Sequence, residues 1–489
     1  MKKLLLWTLA ITLFRVIILV LSPLELSFDE AQYWHWSKDL SFGYFSKPPV
    51  IAYLIYLTTS ICGNGEACVR LASPLMHGAT SLMVYLAASK LFDKKTGYFS
   101  ALTYLTLTGV SFGSNLISTD VPLLFCYAAA IYFLSCALTA NHWKWWLALG
   151  AVTGIGLLSK YSMAIFPAVV LIYMLLNYKL YNPKHYLNFF LMLLLAIAIY
   201  SPNFYWNYTH HFASYAHTKA NTNLGSGMKF NPLKALEFLG SQIAVFGIIL
   251  FPCFLFFIAK PFQNMSRLQD KELKINRFGL LFLLSAPLII AMTILGLISR
   301  ANANWAAPSY VAGVILVTAL LIHYEKLKLV KFSIYLNCGL MIMVSLLLIT
   351  GSLTNKHKLS GWKDAGKTIS QIAKNNSDKK LLFDERKILT PFLYYLEPQQ
   401  FDHLVKWNPN QELNDHYDLT ASINNHDIGN SFIYISRWDN ADSLMPYFSS
   451  MAPMTPVIVK HGSKKQTKLY ITILKGFNGL GSLNGDDKS

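Results

Sequence analysis

The chain has 489 residues, of which 54% are hydrophobic and only 14% charged, and it carries a formal net charge of +17. A soluble domain carries about 25% charged residues, so this composition excludes a protein that is soluble throughout. Nucleic-acid binding is set aside too, because the basic excess lies before Ser352 in short clusters between apolar runs, as in the cytoplasmic loops of membrane proteins.

The first apolar run, Leu4–Leu21, follows Met-Lys-Lys and has the look of a signal peptide. It is long for one and lacks a small-x-small cleavage site before Glu25, so it is expected to remain as a first helix with its N-terminus inside. Further spans are expected at 71–92, 97–113, 121–139, 144–158, 161–176, 186–205, 238–259, 278–298, 305–323 and 332–351. The 48–61 segment is also apolar and is expected as a re-entrant or interfacial helix. Alternate crossing puts Lys94/Lys95, Lys179/Lys184, the stretch Lys260–Arg277 and Lys326/Lys328/Lys331 inside. The segments 22–70, 114–120, 206–237, 299–304 and 352–489 then fall outside.

The tail from 352 onward has ordinary soluble polarity. Leu381–Phe383, Phe432–Ser436, Pro456–Val459 and Leu469–Leu474 read as strands and Trp362–Ile372 as a short helix. The expected architecture is mainly α: a polytopic membrane bundle of about 11–13 helices over 1–351, with the first loop 22–70 exported, followed by an exported α+β domain over 352–489. Six cysteines show no zinc pattern. Cys126, Cys136, Cys253 and Cys338 fall within apolar runs and read as small hydrophobes. Cys62 and Cys68 flank Gly63-Asn64-Gly65-Glu66 in the exported loop, where a disulfide and two free thiols stand at even odds.

Candidate chemistry gathers on the exported side. Phe28-Asp29-Glu30-Ala31-Gln32-Tyr33-Trp34-His35-Trp36 places paired carboxylates and an aromatic cluster just past the first helix. An interfacial aromatic belt explains Tyr33, Trp34 and Trp36 but does not call for Asp29 and Glu30. Between Asp93 and Glu237 the one acid is Asp120, in Ser118-Thr119-Asp120-Val121-Pro122, where helix capping is the bland reading. Lys47, Arg70 and Lys160, all expected outside, suggest a site for a lipid-linked phosphate, since ionisable groups at membrane depth are functional hypotheses by default. Arg300 adds one more exported cation in Ser299-Arg300-Ala301-Asn302-Ala303-Asn304-Trp305. His210, His211 and His217 fit no standard metal spacing and read as substrate contacts or loop packing. Arg15, inside the first span, has no role assigned by sequence.

Taken in order, Asp29-Glu30 with Tyr33-Trp34, Lys47-Pro48-Pro49, Ser118-Thr119-Asp120, Leu158-Ser159-Lys160 and Asn302–Trp305 resemble the GT-C membrane glycosyltransferases. The nearest group is the bacterial protein-mannosyltransferase-like family that includes the lipid A aminoarabinose transferases. The resemblance implies an inverting transfer from a polyprenyl-phosphate sugar in the inner membrane, with the active site and tail on the periplasmic side. The acceptor would be lipid A, another envelope glycolipid or a protein. It implies Asp29 as base or acceptor-orienting group, with Asp120 as a second acid and Glu30 beside Asp29. Lys47 and Lys160, joined by Arg70 and Arg300, would hold the donor phosphate; Tyr33, Trp34, His210, His211 and Asn304 would contact substrate. No cofactor is called for, and a divalent metal stays open. Ser46 departs from the acid that the aminoarabinose transferases tend to carry before Lys-Pro, which weakens both a metal there and that sugar. The rival readings are a flippase for lipid-linked sugars, which should show paired halves or broken helices at mid-membrane, and an O-antigen ligase or polymerase.

Overall fold

Seven helices among the described residues are long and apolar enough to cross a membrane: Lys2–Leu21, Glu66–Leu91, Asp120–Ala140, Pro183–Thr209, Arg277–Ile298, Ala303–His323 and Leu327–Ile349. The chain is therefore a multi-pass membrane protein. The structure, a computed structural model, describes residues 1–221, 230–260, 269–270, 275–352, 359–397, 403–462 and 465–483.

Burial sorts the helices. Of their most apolar stretches, 89% of the residues of Ala303–His323 and 83% of those of Asp120–Ala140 are buried, against 28% in Lys2–Leu21, Pro183–Thr209 and Leu327–Ile349. A helix that is apolar all round and covered all round belongs at the centre, and one covered on a single stripe turns its remaining face to lipid. Packing between helices in lipid favours small residues at the contact. Gly150 and Gly154 serve this role on helix Trp143–Ser159. A Cβ on Gly150 would come 2.6 Å from Met192 O, and one on Gly154 would come 2.7 Å from Ile199 Cβ, both on helix Pro183–Thr209.

Three expected spans differ in form. The 97–113 run is split at Leu107 into Lys94–Thr106 and Thr108–Gly113. The 161–176 run starts as a 3₁₀ turn, Tyr161–Ala164, before helix Ile165–Leu176. The 238–259 run forms two helices, Pro232–Phe246 and Leu250–Ile258, bent by 118°. Gly247 lies at that break with φ of 106°, a left-handed conformation open to glycine. The 48–61 segment is helix Val50–Cys62, whose 13 residues are too few to cross the hydrocarbon core.

The chain divides into two compact units. The membrane unit holds Met1–Val20, Ser41–Gly43 and Lys47–Leu346; the second holds Leu21–Leu40, Tyr44–Ser46 and Leu347–Ser489. The first loop, expected to go with 1–351, is thus shared, and its helix Phe28–Trp36 packs within the tail's unit. That unit is built on a five-stranded sheet: β1 (Lys380–Phe383), β2 (Leu404–Lys406), β3 (Phe432–Ser436), β4 (Phe448–His461) and β5 (Lys465–Phe477), in the order β2-β1-β3-β5-β4. The strands β2, β1 and β3 run parallel, and β5 is antiparallel to both β3 and β4. Helices Trp362–Lys374 and Arg386–Tyr395 share one core with this sheet through Ile369, Phe383, Phe392 and Ile433.

Candidate active site

In the membrane unit Asp120 begins one central helix, and Asn304 lies in the 3₁₀ turn Ala303–Ala306 that leads into the other. The N-terminus of a helix favours negative charge, because its first N–H groups have no partner within the helix. Lys160, just past the end of helix Trp143–Ser159, donates from Nζ to Asp120 Oδ1 at 2.6 Å. Asn304 Nδ2 donates to Asp120 Oδ2 at 2.7 Å. Both carboxylate oxygens are held by side chains, and the N-cap position belongs to Thr119, which makes no side-chain cap bond. The capping reading therefore does not describe Asp120. With side-chain exposures of 13% for Asp120 and 19% for Lys160, the pair is largely shielded from solvent.

A cavity of about 460 Å³ opens beside this cluster. Asp120, Asn304, Ser118, Tyr310, His77 and Tyr104 are its polar members, and the remaining wall is mainly apolar. An apolar cavity with a few convergent polar groups is the usual form of a small-molecule site. Tyr310 donates to Gln242 Oε1, and His77 Nδ1 lies 3.0 Å from the Tyr104 hydroxyl.

The other expected residues of this unit have varied surroundings. Lys47 is half-buried and Arg70 fully buried. Cys62 and Cys68 form a disulfide ahead of Arg70, which decides between the two readings of that loop. Arg300 is exposed and donates from Nε to Asn221 O at 3.3 Å. His210 stacks on Trp206 with ring centroids 4.1 Å apart, so loop packing accounts for its position. His211 is exposed with φ of 52°. Among the described residues no group of three or more His, Cys, Asp or Glu side chains stands in a metal-binding arrangement. Arg15 is buried and donates to Leu105 O at 2.5 Å and Ser111 Oγ at 3.1 Å, which ties the first helix to the broken 94–113 element.

Sequence alone also missed what fixes the Ser41–Gly43 segment. Asn203 Nδ2 donates to Phe42 O at 2.7 Å, and a Cβ on Gly43 would lie 2.6 Å from Trp206. Only a glycine lets the backbone come this close to the indole.

In the second unit Ser27 and Glu30 close a capping box at the start of helix Phe28–Trp36. Glu30 is buried and accepts from Ser27 N at 3.0 Å, so its carboxylate has a structural task that Asp29 lacks. Asp29 remains half exposed and pairs with Arg386, whose Nη1 lies 3.2 Å from Oδ1. Tyr33 and Trp34, expected as substrate contacts, are buried; Trp34 packs edge-on against Tyr394 at 4.8 Å. The helix is therefore held by the tail's own aromatics, and an interfacial belt does not describe it.

The same helix brings its own His35 close to His416 of the tail. His416 packs edge-on against Trp36 at 5.4 Å, and its ring centroid is 6.5 Å from that of His35. Burial pushes His416 down to about 3, with His35 and Arg386 adding in the same direction. Burial pushes His35 down to about 4, against a smaller opposing effect of Asp39. Both rings stay neutral in the folded unit while the unfolded chain takes up protons below its ordinary value of about 6.5. The unfolded state then binds more protons, so stability falls as pH drops from about 6.5 to 4, by up to about 1.4 kcal/mol per pH unit for each ring. Thermal unfolding of the intact protein in detergent across this range should show the loss, and His416→Phe should flatten the dependence. A melting temperature independent of pH would contradict it.

The fold is that of the GT-C membrane glycosyltransferases. The crystal structure of ArnT from Cupriavidus metallidurans bound to undecaprenyl phosphate superposes on 96% of this chain and 97% of that one, with a TM-score of 0.65 at 15% identity. Residues 46–206 match the family described as dolichyl-phosphate-mannose-protein mannosyltransferase, a stretch that contains Lys47, Arg70, Asp120 and Lys160. The lipid A galacturonosyltransferase RgtD of Rhizobium johnstonii is 32% identical over 65% of each chain, so the match spans just under two thirds of that relative's length. An undecaprenyl phosphate-α-4-amino-4-deoxy-L-arabinose arabinosyl transferase of Pseudomonas fluorescens is 28% identical over 27% of this chain and 25% of its own. The resemblance read from the ordered short motifs is borne out.

Proposed function

We propose that this protein is an inverting glycosyltransferase that moves a sugar from a polyprenyl-phosphate carrier to an exported acceptor, with lipid A as the leading candidate. The observation that carries the reading is Asp120 held between Lys160 and Asn304 beside a cavity, within a GT-C fold. In such a transfer the polyprenyl phosphate leaves with growing negative charge. Cations fixed in a partly dry site stabilise that charge, and single groups of this kind typically contribute about 3–4 kcal/mol. Lys160 has three donors and spends one on Asp120, so the ammonium can also face a phosphate oxygen. Lys47, Arg70 and Arg300 are the further candidates for the phosphate.

Asp29 takes the acceptor: it accepts the proton of a sugar hydroxyl, or orients a phosphate nucleophile that needs no base. The assignment to the inner membrane with chemistry on the periplasmic side rests on the charge pattern of the loops and on the Cys62–Cys68 disulfide, a bond of oxidising compartments. Labelling of single cysteines at Lys94 and Asp364 tests it: Asp364→Cys should react with an impermeant thiol reagent in intact cells and Lys94→Cys should not, and the reverse pattern would reject the placement.

For the sugar, a uronic acid is favoured over an aminoarabinose. Ser46 removes a negative charge that would favour a cationic sugar, and a relative matched over 65% of this chain is a galacturonosyltransferase. Mass spectrometry of lipid A from a deletion strain and its complemented parent tests acceptor and sugar together. Loss of one hexuronate from lipid A is the expected result; an unchanged lipid A with altered protein glycans would move the acceptor, and loss of a pentosamine would move the sugar.

A further inference from the structure

We propose that Arg386 is a positioning residue for Asp29, an inference that rests on the glycosyl-transfer reading above. Arg386 is the first residue of helix Arg386–Tyr395 and follows the end of the central parallel strand β1. In open α/β sheets this carboxyl end, at the point where strand order reverses, is where ligands are usually met. Here β1 has β2 on one side and β3 on the other, so Asp384-Glu385-Arg386 occupies that point. From it the guanidinium reaches Asp29 Oδ1 at 3.2 Å and also donates to Gln32 Oε1. Asp29 and Gln32 are three residues apart and share one face of their helix. Gln32 is buried, and the Phe28 ring lies 5.0 Å from the guanidinium carbon. The neighbouring acid does not compete, because Glu385 pairs with Arg437 at 2.7 Å.

The contact is more than a fastening for the loop helix, which has other fastenings. Glu25 accepts from the backbone of Trp362 at 2.7 Å and Lys363 at 3.3 Å, capping helix Trp362–Lys374. Leu26 N donates to the Tyr395 hydroxyl at 2.8 Å, Trp34 packs on Tyr394, and Trp36 stacks on Tyr44 at 4.5 Å. What Arg386 adds is direction: Nη1 donates to the buried Gln32 and faces Asp29 Oδ1 as well, which sets where one carboxylate oxygen lies, while half of the Asp29 side chain stays open to a reacting partner.

The test is a double-mutant cycle on the full-length enzyme in lipid nanodiscs, with a polyprenyl-phosphate sugar as donor and lipid A as acceptor. Arg386→Met should lower kcat about 10–100-fold, the scale for a misplaced reacting group, with donor KM unchanged and a melting temperature close to that of the parent. Arg386→Lys, which keeps the charge but loses the planar guanidinium, should recover part of the rate. In single-turnover measurements on an Asp29→Asn background, Arg386→Met should cost nothing further, since no carboxylate remains to be aimed. An equal loss in that background, or parental kcat in Arg386→Met while Asp29→Asn is impaired, overturns the positioning role alone. Parental activity in Asp29→Asn overturns both the role of Asp29 and that of Arg386, and transfer from a nucleotide sugar alone rejects the underlying reading.

Discussion

Asp29→Asn is expected to leave donor binding intact and to lower turnover by about 10²–10⁴, the range for losing acid–base catalysis by a positioned side chain. The substitution keeps the shape and removes the charge. It leaves the capping box of Ser27 and Glu30 untouched, so the helix start should persist. Loss of the ion pair with Arg386 should matter little for folding, because Asp29 is half exposed and exposed pairs contribute about 0–1 kcal/mol. A fall in turnover with a parental melting curve therefore reports chemistry. The acceptor modulates the size: a hydroxyl acceptor that must lose its proton should show the upper part of the range, and a phosphate acceptor the lower part. Donor binding by Asp29→Asn, followed with a fluorescent polyprenyl phosphate, supplies the second half of the check. A variant that loses donor binding and turnover together would assign Asp29 to the donor instead.

The Asp120–Lys160 pair should behave differently, because it is largely shielded and shared. Removing one partner of a buried pair typically costs 3–5 kcal/mol, since the remaining charge is left uncompensated. With 13% and 19% of the side chains exposed, about 2–4 kcal/mol is the expected loss for Lys160→Ala. Turnover and donor binding should fall with it, since the phosphate is charged in the ground state and more so in the transition state. Asp120→Asn should destabilise less, because Asn304 can still bond the new amide while Lys160 loses its counter-charge. Combining Asp120→Asn with Lys160→Met removes both charges and should recover much of the melting temperature without restoring activity. Recovery of activity along with stability would make the pair a structural device and remove it from the site.

How much of this was legible in the sequence follows from what each signal depends on. Apolar length alone located seven of the eleven expected spans as helices long enough to cross, because spanning a hydrocarbon core sets the length of a helix. It could not show the bend at Gly247, since a broken span and a straight one have the same composition. In the tail, β1, β3 and part of β5 stood out, but of β4 only Pro456–Val459 was legible, because the prolines at 453 and 456 break the run ahead of it. The sheet accepts them because β4 is an edge strand whose register shifts between Met454 and Val457. Asp120 and Lys160 were singled out as a lone acid and an outside cation, and Asn304 entered only through the family resemblance. That they bond to one another could not be read, because 40 and 184 residues separate the partners. Arg386 was missed altogether. The signal was available as a charged triplet at the end of an expected strand, and it carried no weight while the first loop and the tail were read as separate segments.

The most direct measurement is transfer by the purified protein in lipid nanodiscs, with a polyprenyl-phosphate sugar, a nucleotide sugar and lipid A supplied in separate combinations. Sugar is expected on lipid A with the lipid-linked donor only, abolished or strongly reduced in Asp29→Asn and in Lys160→Ala. Transfer from the nucleotide sugar alone, or movement of the lipid-linked sugar across the bilayer with no transfer to any acceptor, would contradict it.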